Sequence, residues 1–379
     1  MKDMISYWLC KTLLSFILLM GITTSCKTGV AGKKNISFNI KRFELGHQTS
    51  SVSALDLNSD GWLDLVLTGG GKVTVLEGNE LGEFRVAEVI GAGENPVHFD
   101  IGDLDLDGNT DLVIANHETH YLTLIFGGHK GFGSGRTERF NINISPHPHA
   151  VALADVDEDM NLDIVVDDRD REQLRVYLGN GNGTFEEGIS IAVGGDPYRG
   201  MDLSDLNNDQ HLDVITPNPH AVDIRYGDGT GIFTPGTRLD SRDIPPFNTT
   251  VGDFNNDGIM DIAAGSGEGP GALVLWLGVD RESYMQAPGS PFTIAEGPTR
   301  LKTGDINSDG TDDILVTSYI GNELAIVFGG KESFHVSRID LDDNPWDVAA
   351  GDFNNDGAVD LVVANDGGTY INIFFADQN

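Results

Sequence analysis

The chain of 379 residues has few cysteines, few basic residues and few aromatic residues. Its two cysteines, Cys10 and Cys26, lie near the N-terminus, so the rest of the chain has none with which to form a disulfide. Only 24 Lys and Arg residues accompany 59 Asp and Glu residues, and the formal net charge is −35. Because binding to nucleic-acid phosphates needs a basic surface, we expect no nucleic-acid partner. Aromatic residues make up only 8% of the chain. The 48 glycines, together with short apolar runs, favour many short strands and turns over long helices.

Long apolar runs are absent after the N-terminus. The N-terminal stretch carries Lys2 and Lys11, then an apolar run from Leu13 to Ile22, then small residues. This run is too short for a convincing membrane span, and the layout is that of a secretory signal. We therefore expect residues 1–25 to be a signal peptide.

The sequence TTSC at the end of this segment resembles a bacterial lipobox, in which the cysteine is lipidated and becomes the new N-terminus. It departs from that pattern at Thr23, where leucine is usual. The resemblance implies a lipidated Cys26, a tether over residues 26–35, and a lipid anchor in the bacterial cell envelope. The outer membrane is the expected location, with the periplasmic and surface sides both open. A plain secretory signal is the alternative.

A nine-residue motif recurs seven times, at a spacing of 47 to 52 residues. The copies are DLNSDGWLD (56–64), DLDLDGNTD (103–111), DVDEDMNLD (155–163), DLNNDQHLD (205–213), DFNNDGIMD (253–261), DINSDGTDD (305–313) and DFNNDGAVD (352–360). A repeat of this length indicates a solenoid, a propeller or an array.

The segments around each motif predict four short strands joined by tight turns, which describes a propeller blade. The last repeat stops after its third strand, at YINIFFADQN, whereas an extra strand over residues 36–46 precedes the first motif. That strand can supply the missing fourth strand and close the ring, which removes free sheet edges. We therefore predict an all-β, seven-bladed β-propeller of four-stranded blades over residues 36–379.

Oxygen-bearing side chains occupy positions 1, 3, 5 and 9 of the motif, which suits a hard cation such as Ca²⁺. Position 1 is Asp56, Asp103, Asp155, Asp205, Asp253, Asp305 and Asp352. Position 3 is Asn58, Asp105, Asp157, Asn207, Asn255, Asn307 and Asn354. Position 5 is Asp60, Asp107, Asp159, Asp209, Asp257, Asp309 and Asp356. Position 9 is Asp64, Asp111, Asp163, Asp213, Asp261, Asp313 and Asp360. Position 7 contributes its backbone carbonyl, from Trp62, Asn109, Asn161, His211, Ile259, Thr311 and Ala358. We therefore expect up to seven Ca²⁺ ions.

The motif differs from a helix-loop-helix calcium hand, which places a glutamate at position 12. That position is Leu67 in the first copy and apolar or threonine in the others, so each loop is expected to continue into a strand. Met160 and Gln210 replace the glycine at position 6 in the third and fourth copies, so these two loops must either be strained or relax to another conformation. The alternative is an ordinary turn rich in Asp, Asn and Gly.

This pattern, followed by a strand and a GNGxGxF turn, resembles the FG-GAP/VCBS repeat family, which includes bacterial relatives of the integrin α-subunit propeller. The resemblance covers residues 36 to 379. It implies a seven-bladed propeller with Ca²⁺ in the hairpin between the first two strands of a blade. It implies no single activity, because the family contains adhesive modules, lectins, polysaccharide lyases and other surface proteins.

The face opposite the calcium loops varies from blade to blade, and variable loops on a rigid scaffold are where binding usually resides. The candidate ligand-binding residues on that face are His98, His149, Tyr198, Arg199, Asn218, Arg300, Tyr319, Trp346 and Asp347. The alternative is that they are ordinary solvated loop residues. The pattern HPH (147–149) is too weak to predict a metal site by itself.

No nucleophile motif, mature-chain cysteine or phosphate-binding loop indicates an enzyme. We therefore expect a non-catalytic binding or adhesion module for carbohydrate or protein, with no catalytic residues. The first alternative is a carbohydrate-active enzyme, such as a polysaccharide lyase that uses the face opposite the calcium loops. A scaffold within an envelope complex is the second alternative.

Overall fold

A computed structural model describes residues 36–142, 147–195, 197, 200–241, 244–267 and 269–377. The expected signal peptide, Cys26 and the tether lie outside these residues, as do Tyr198 and Arg199. Within the described ranges, no helix is long and apolar enough to cross a membrane.

The described chain forms seven antiparallel sheets. Strand β1 (Phe38–Glu44) comes first. Blade 1 contains β2 (Ser51–Leu55), β3 (Asp64–Gly69), β4 (Lys72–Glu77) and β5 (Arg85–Gly91). Blade 2 contains β6 (Pro96–Gly102), β7 (Asp111–Asn116), β8 (Tyr121–Gly128) and β9 (Gly131–Asn141). Blade 3 contains β10 (Val151–Ala154), β11 (Asp163–Asp168), a 3-10 turn (Arg169–Arg171), β12 (Gln173–Tyr177) and β13 (Ile189–Ala192). Blade 4 contains β14 (Asp202–Ser204), β15 (Asp213–Asn218), β16 (Ala221–Gly227) and β17 (Phe233–Asp240).

The remaining three blades follow the same order. Blade 5 contains β18 (Pro246–Gly252), β19 (Asp261–Ser266), β20 (Ala272–Gly278), β21 (Tyr284–Gln286) and β22 (Phe292–Thr293), and both of its last two strands pair with β20. Blade 6 contains β23 (Pro298–Gly304), β24 (Asp313–Ser318), β25 (Glu323–Phe328) and β26 (His335–Asp340). Blade 7 contains β27 (Pro345–Gly351), β28 (Asp360–Asn365) and β29 (Tyr370–Ala376). The predicted seven-bladed propeller is confirmed.

The first strand of the chain completes the last blade. Strand β1 pairs antiparallel with β29, from Phe38 opposite Ala376 to Glu44 opposite Tyr370. The sheet order is therefore β1-β29-β28-β27, and the blade holds one strand from one end of the propeller sequence and three from the other. This confirms the predicted closure, in which the N-terminal strand pairs with the last strand of the chain and gives blade 7 four strands like the other blades.

Among the described residues, the hydrophobic core contains seven clusters, each shared by two neighbouring blades. The cluster between blades 1 and 7, for example, combines Leu65 and Leu67 of β3 with Val362, Ala364 and Phe353 of blade 7. Since each blade buries both of its faces, its second strand is buried along its whole length and is apolar at its centre rather than alternating. The fold is therefore stabilised by packing around the whole ring.

Every second strand begins at the ninth motif residue, and all six of its residues are buried in every blade. Leu67 is 0% exposed and packs in the core between blades 1 and 7. The motif therefore links two strands, as predicted, and is not a calcium hand.

The inner strands of neighbouring blades are joined by side chains that bond to backbone. Asp100 accepts a hydrogen bond from the N–H of Leu153 at 2.8 Å, and Asn248 accepts one from the N–H of Leu301 at 3.1 Å. An inner strand is the edge of its own sheet, so these bonds satisfy backbone groups that have no strand partner.

Candidate metal loops and ligand-binding mouth

The motif loops and the turns between third and fourth strands lie on one face of the ring. The N–H of Gly183, in such a turn of blade 3, donates to the carbonyl of Leu104 in the motif of blade 2 at 3.1 Å. The same contact joins Gly231 to Val156 at 3.0 Å. We call this side the motif face. The loops between second and third strands and those between blades lie on the other side, which we call the mouth face.

All seven motif loops share one backbone conformation. Position 4 has a positive φ of 54° to 61° in every copy, although its residues differ in chemistry: Ser59, Leu106, Glu158, Asn208, Asn256, Ser308 and Asn355. Position 6 also has a positive φ, which glycine adopts at little cost. Met160 and Gln210 keep the same turn at φ 74° and 78°, so the third and fourth loops are strained rather than relaxed.

The aspartates at positions 1 and 5 of each motif accept hydrogen bonds from backbone N–H groups of the same loop. The carboxylate of Asp253 accepts the N–H groups of Asp257 at 3.0 Å and Gly258 at 2.9 Å. Asp257 in turn accepts the N–H of Ile259 at 2.9 Å. The equivalent bonds occur in the other six copies. Each carboxylate oxygen retains a second lone pair, so these bonds leave room for a cation.

The aspartate at motif position 9, which we call the ninth aspartate, connects its loop to the third strand of the same blade. Asp261 accepts the N–H of Phe254 at 2.9 Å and that of Gly278 at 2.8 Å. The corresponding pair of bonds is present in every blade, and all seven of these aspartates are 0% exposed. The motif predicts only a metal role for this aspartate, because its bond to the third strand depends on how the blade folds.

Burial acts against the negative charge of the ninth aspartate. Desolvation raises the pKa of Asp111 to about 6 and that of Asp261 to about 7, although two backbone N–H bonds oppose the shift in each case. The carboxylates at positions 1 and 3 or 5 of the same loop raise the pKa further. A bound divalent cation is the kind of charge that stabilises an ionised carboxylate in such surroundings.

The third motif position supplies the best test of whether the residues fit a metal. In the second, fourth and fifth copies, Oδ1 of Asp105, Asn207 and Asn255 is buried and has no hydrogen-bond partner among the described residues. In two copies, carboxylate oxygens of three aspartates lie within 4.8 Å of one another: Asp103, Asp105 and Asp111, and Asp155, Asp157 and Asp163. An all-oxygen donor set that includes an unsatisfied buried oxygen suits Ca²⁺.

The mouth face contains a small, open pocket where the inner strands of four blades begin. Its lining is Val97 of blade 2, His149 before β10, Thr299 and Arg300 of blade 6, and Trp346 of blade 7. Three of the predicted ligand-binding residues thus meet at one place. His149 and Arg300 are only 4% and 7% exposed, whereas Trp346 is half-buried.

Trp346 has an aromatic neighbour that extends this site. The ring of Tyr319 lies edge-on to Trp346, with 5.1 Å between the ring centroids. Tyr319 is half-buried on the loop after β24. Its backbone carbonyl accepts a hydrogen bond from Asn344 at 2.9 Å, which fixes the loop against blade 7. Two adjacent aromatic rings at the rim of a pocket can pack against the flat face of a ligand.

Other predicted ligand-binding residues are buried and bonded within the fold. Asp347 is 0% exposed and bonds to blade 1. Asn218 is 2% exposed, and its side chain bonds to Asp223 and accepts the N–H of Ala221 at 3.0 Å. It therefore fixes the turn after β15.

His98 lies in the channel, where it accepts the N–H of Val151 at 3.3 Å. Burial lowers its pKa well below the ordinary value, and the positive charges of Arg300 and Lys302 lower it further. His98 thus links blade 2 to blade 3 through its bond to Val151, in surroundings that disfavour the charged imidazole.

These features define a seven-bladed β-propeller with aspartate-rich loops on one face and an aromatic-rimmed pocket on the other. A family model described as FG-GAP-like repeat matches six overlapping segments: 56–114, 103–166, 155–216, 205–264, 253–316 and 305–363. The chain belongs to this family, which confirms the resemblance carried by the motif. Each match runs from one motif to the next.

The solved structure titled "Crystal structure of BBS1N in complex with ARL6DN, soaked with mercury" is similar to this chain with a TM-score of 0.61. The similarity covers 89% of this chain and 94% of that one at 12% sequence identity, which shows a shared fold alone. No curated protein sequence matches the chain.

Proposed function

We propose that this protein is a calcium-stabilised binding module of the bacterial cell envelope, and that its ligand lies in the mouth-face pocket. The observation that carries this proposal is the convergence of His149, Arg300 and Trp346, from three blades, on one pocket. A rigid ring with a rim of side chains from several blades suits recognition of an extended ligand.

Carbohydrate is the ligand class that we favour over protein. The Tyr319 and Trp346 rings offer apolar faces, and Arg300 and His149 offer polar groups beside them. Few polar groups at fixed positions in an apolar pocket are what orient a small ligand or a sugar unit.

The pocket is tested with a glycan array probed in the presence and absence of Ca²⁺, followed by titration of each hit. We expect W346A to weaken binding at least tenfold. W62A is the matched control, because Trp62 is a half-buried tryptophan on the motif face. Equal losses in both variants, or none in W346A, would contradict the assignment of the pocket.

The lyase alternative is favoured by one observation, the presence of His149 and Arg300 in the same pocket. Both are buried, and Asp347 lies 3.8 Å from Nε of Arg300, which suits a structural role for the arginine. Each saccharide hit is therefore also incubated with the protein and its chain length measured. Binding without depolymerisation supports the binding module, and chain cleavage that H149A abolishes supports the lyase.

Calcium is proposed to occupy the motif loops and to stabilise the ring. Without a cation, three or four carboxylates in one short loop repel each other, and burial of the position-9 carboxylate raises its pKa and so opposes its ionisation. We expect excess EGTA to lower the melting temperature markedly and added Ca²⁺ to restore it. An unchanged melting curve in EGTA would refute this part of the proposal.

A lipid anchor at Cys26 is proposed to hold the module in the outer membrane. The anchor is tested by cell fractionation of C26S, which we expect to move the protein from the membrane to the soluble fraction. Continued membrane association of C26S would contradict it.

A further inference from the structure

Three histidines of the mouth face form a cluster, and two of them, His117 and His147, belong neither to the calcium loops nor to the lining of the pocket. His117 follows β7, and His147 and His149 precede β10 in the next blade. The ring centroid of His117 lies 5.2 Å from that of His147 and 4.6 Å from that of His149. Thirty residues separate His117 from His147 in the sequence, so the arrangement depends on how blades 2 and 3 pack.

Two of these histidines meet a carboxylate in a geometry that suits a metal ion. One ligand atom from each of His117, Glu118 and His147 lies within 4.8 Å of the other two. His117 and His147 are half-buried and Glu118 is exposed, so solvent reaches the group. The other groups of this kind among the described residues are all-carboxylate groups in two motif loops.

His147 supplies an independent indication of a ligand. Its Nδ1 atom is buried and has no hydrogen-bond partner within the described ranges. A buried imidazole nitrogen without a partner is costly, and coordination to a metal is one way to satisfy it.

The segment that carries His147 is fixed on its C-terminal side. Asp167, which is 1% exposed, accepts the N–H of His149 at 2.7 Å and that of Ala150 at 2.8 Å. Its second oxygen lies 3.3 Å from Nδ1 of His149. These bonds hold the backbone two residues from His147, and a rigid support of this kind is what a metal site needs.

We propose that His117, Glu118 and His147 form a binding site for a transition-metal ion of the zinc class, distinct from the calcium loops. Two imidazoles and one carboxylate are a donor set that zinc accepts with an open fourth position. Ca²⁺ prefers oxygen donors, so nitrogen donors select against it. The site is independent of the proposed saccharide function, because it needs neither the Trp346 pocket nor occupied motif loops.

The test uses tag-free protein saturated with Ca²⁺, so that the motif loops do not compete for the added metal. Zn²⁺ is titrated by calorimetry and Co²⁺ by visible absorption, which reports nitrogen and oxygen ligands directly. We expect one Zn²⁺ per chain. H117A and H147A should each weaken binding by more than about 100-fold, since loss of a residue that merely orients a ligand already costs roughly 10- to 100-fold.

Two further variants are E118Q, which tests the carboxylate ligand, and H129A, which is the control. Glu118 is exposed, so E118Q leaves the fold intact, and we expect it to weaken Zn²⁺ binding about tenfold or more. His129 is an exposed histidine on the motif face, and H129A should bind Zn²⁺ as the wild type does.

Equal Zn²⁺ affinity in the wild type, H117A, H147A and E118Q would overturn the proposal, as would the absence of stoichiometric binding in the wild type. Saccharide binding by H147A without Zn²⁺ would show that the pocket acts separately, so failure of one proposal does not decide the other.

Discussion

The carboxylate of Asp347 accepts a hydrogen bond from the hydroxyl of Ser51 at 2.7 Å and another from the N–H of Val52 at 3.1 Å. Asp347 lies on the inner strand of blade 7 and its partners lie on the inner strand of blade 1, so these bonds close the ring around the channel. Pairing of β1 with β29 closes the same junction at the outer edge. The two ends of the propeller sequence are thus joined twice.

The inner junction leads to the first prediction. D347A leaves the Ser51 hydroxyl and the Val52 N–H buried without their acceptor, so we expect it to lower the free energy of unfolding by about 2–4 kcal/mol. S51A removes only one of the two bonds and should cost about 1 kcal/mol. Both are measured by urea unfolding in excess Ca²⁺. A D347A variant no less stable than S51A would contradict the role assigned to Asp347.

Much of this fold could be predicted from the sequence because the same motif, followed by a buried strand, occurs seven times. The spacing of Asp56, Asp60 and Asp64 repeats with a strand after it, and that strand is apolar because blades pack on both of its sides. The left-handed backbone at position 4 could not be predicted, since Leu106 and Glu158 have no preference for it. There the loop imposes its conformation on the residue.

The mouth face was harder to predict for a physical reason. A polar residue at a strand end can either face solvent or satisfy nearby backbone, and its type does not distinguish the two. Asn218 and Asp347 do the latter, whereas Trp346 lines a pocket. The contact of His117 with His147 was missed as well, because it depends on the packing of adjacent blades. The dipeptide HE (117–118) at the end of a second strand, followed by HPH (147–149) before the first strand of the next blade, is the signal that could have indicated it.

The strained third loop leads to a second prediction. Met160 has φ 74° and is 84% exposed, so its side chain contributes little packing while its backbone is unfavourable. We expect M160G to raise the free energy of unfolding by about 1 kcal/mol, measured by urea unfolding with Ca²⁺ present. The reciprocal control is G61A, because Gly61 has φ 90° and open space around it. G61A should destabilise by a similar amount, and a stabilising G61A would contradict the explanation by strain.

Two residues of the fifth loop separate the structural role of the motif from its proposed metal role. Asp261 accepts two backbone N–H groups and is fully buried, so D261A should cost about 2–5 kcal/mol whether or not Ca²⁺ is present. Oδ1 of Asn255 has no hydrogen-bond partner among the described residues. N255A should therefore change stability little in EGTA but reduce the stabilisation that Ca²⁺ adds.

Both variants are compared by melting temperature across a Ca²⁺ titration. An N255A variant that responds to Ca²⁺ as the wild type does would exclude the third position as a ligand in this loop. A D261A variant that is destabilised only in the presence of Ca²⁺ would show that the ninth aspartate acts through the metal rather than through its backbone bonds.

The channel histidine leads to the last prediction, which concerns pH. The pKa of His98 is lowered in the folded protein by burial and by the charges of Arg300 and Lys302, whereas the unfolded chain has the ordinary value of about 6.5. Between these two values the unfolded chain binds more protons than the folded one, so stability falls as the pH falls through this window. Above about pH 6.5 the contribution of His98 is fully retained.

The prediction is tested with H98N, which keeps an acceptor near the N–H of Val151 but does not titrate. Asp100 and Asp202, which Lys302 also influences, titrate in both proteins, so the comparison isolates the histidine. We expect the melting temperature of the wild type to fall more than that of H98N between about pH 7.5 and about pH 5.5. The control H335N, on the outer strand of blade 6, should follow the wild type. Parallel pH profiles for the wild type and H98N would show that the channel does not hold His98 in its neutral form.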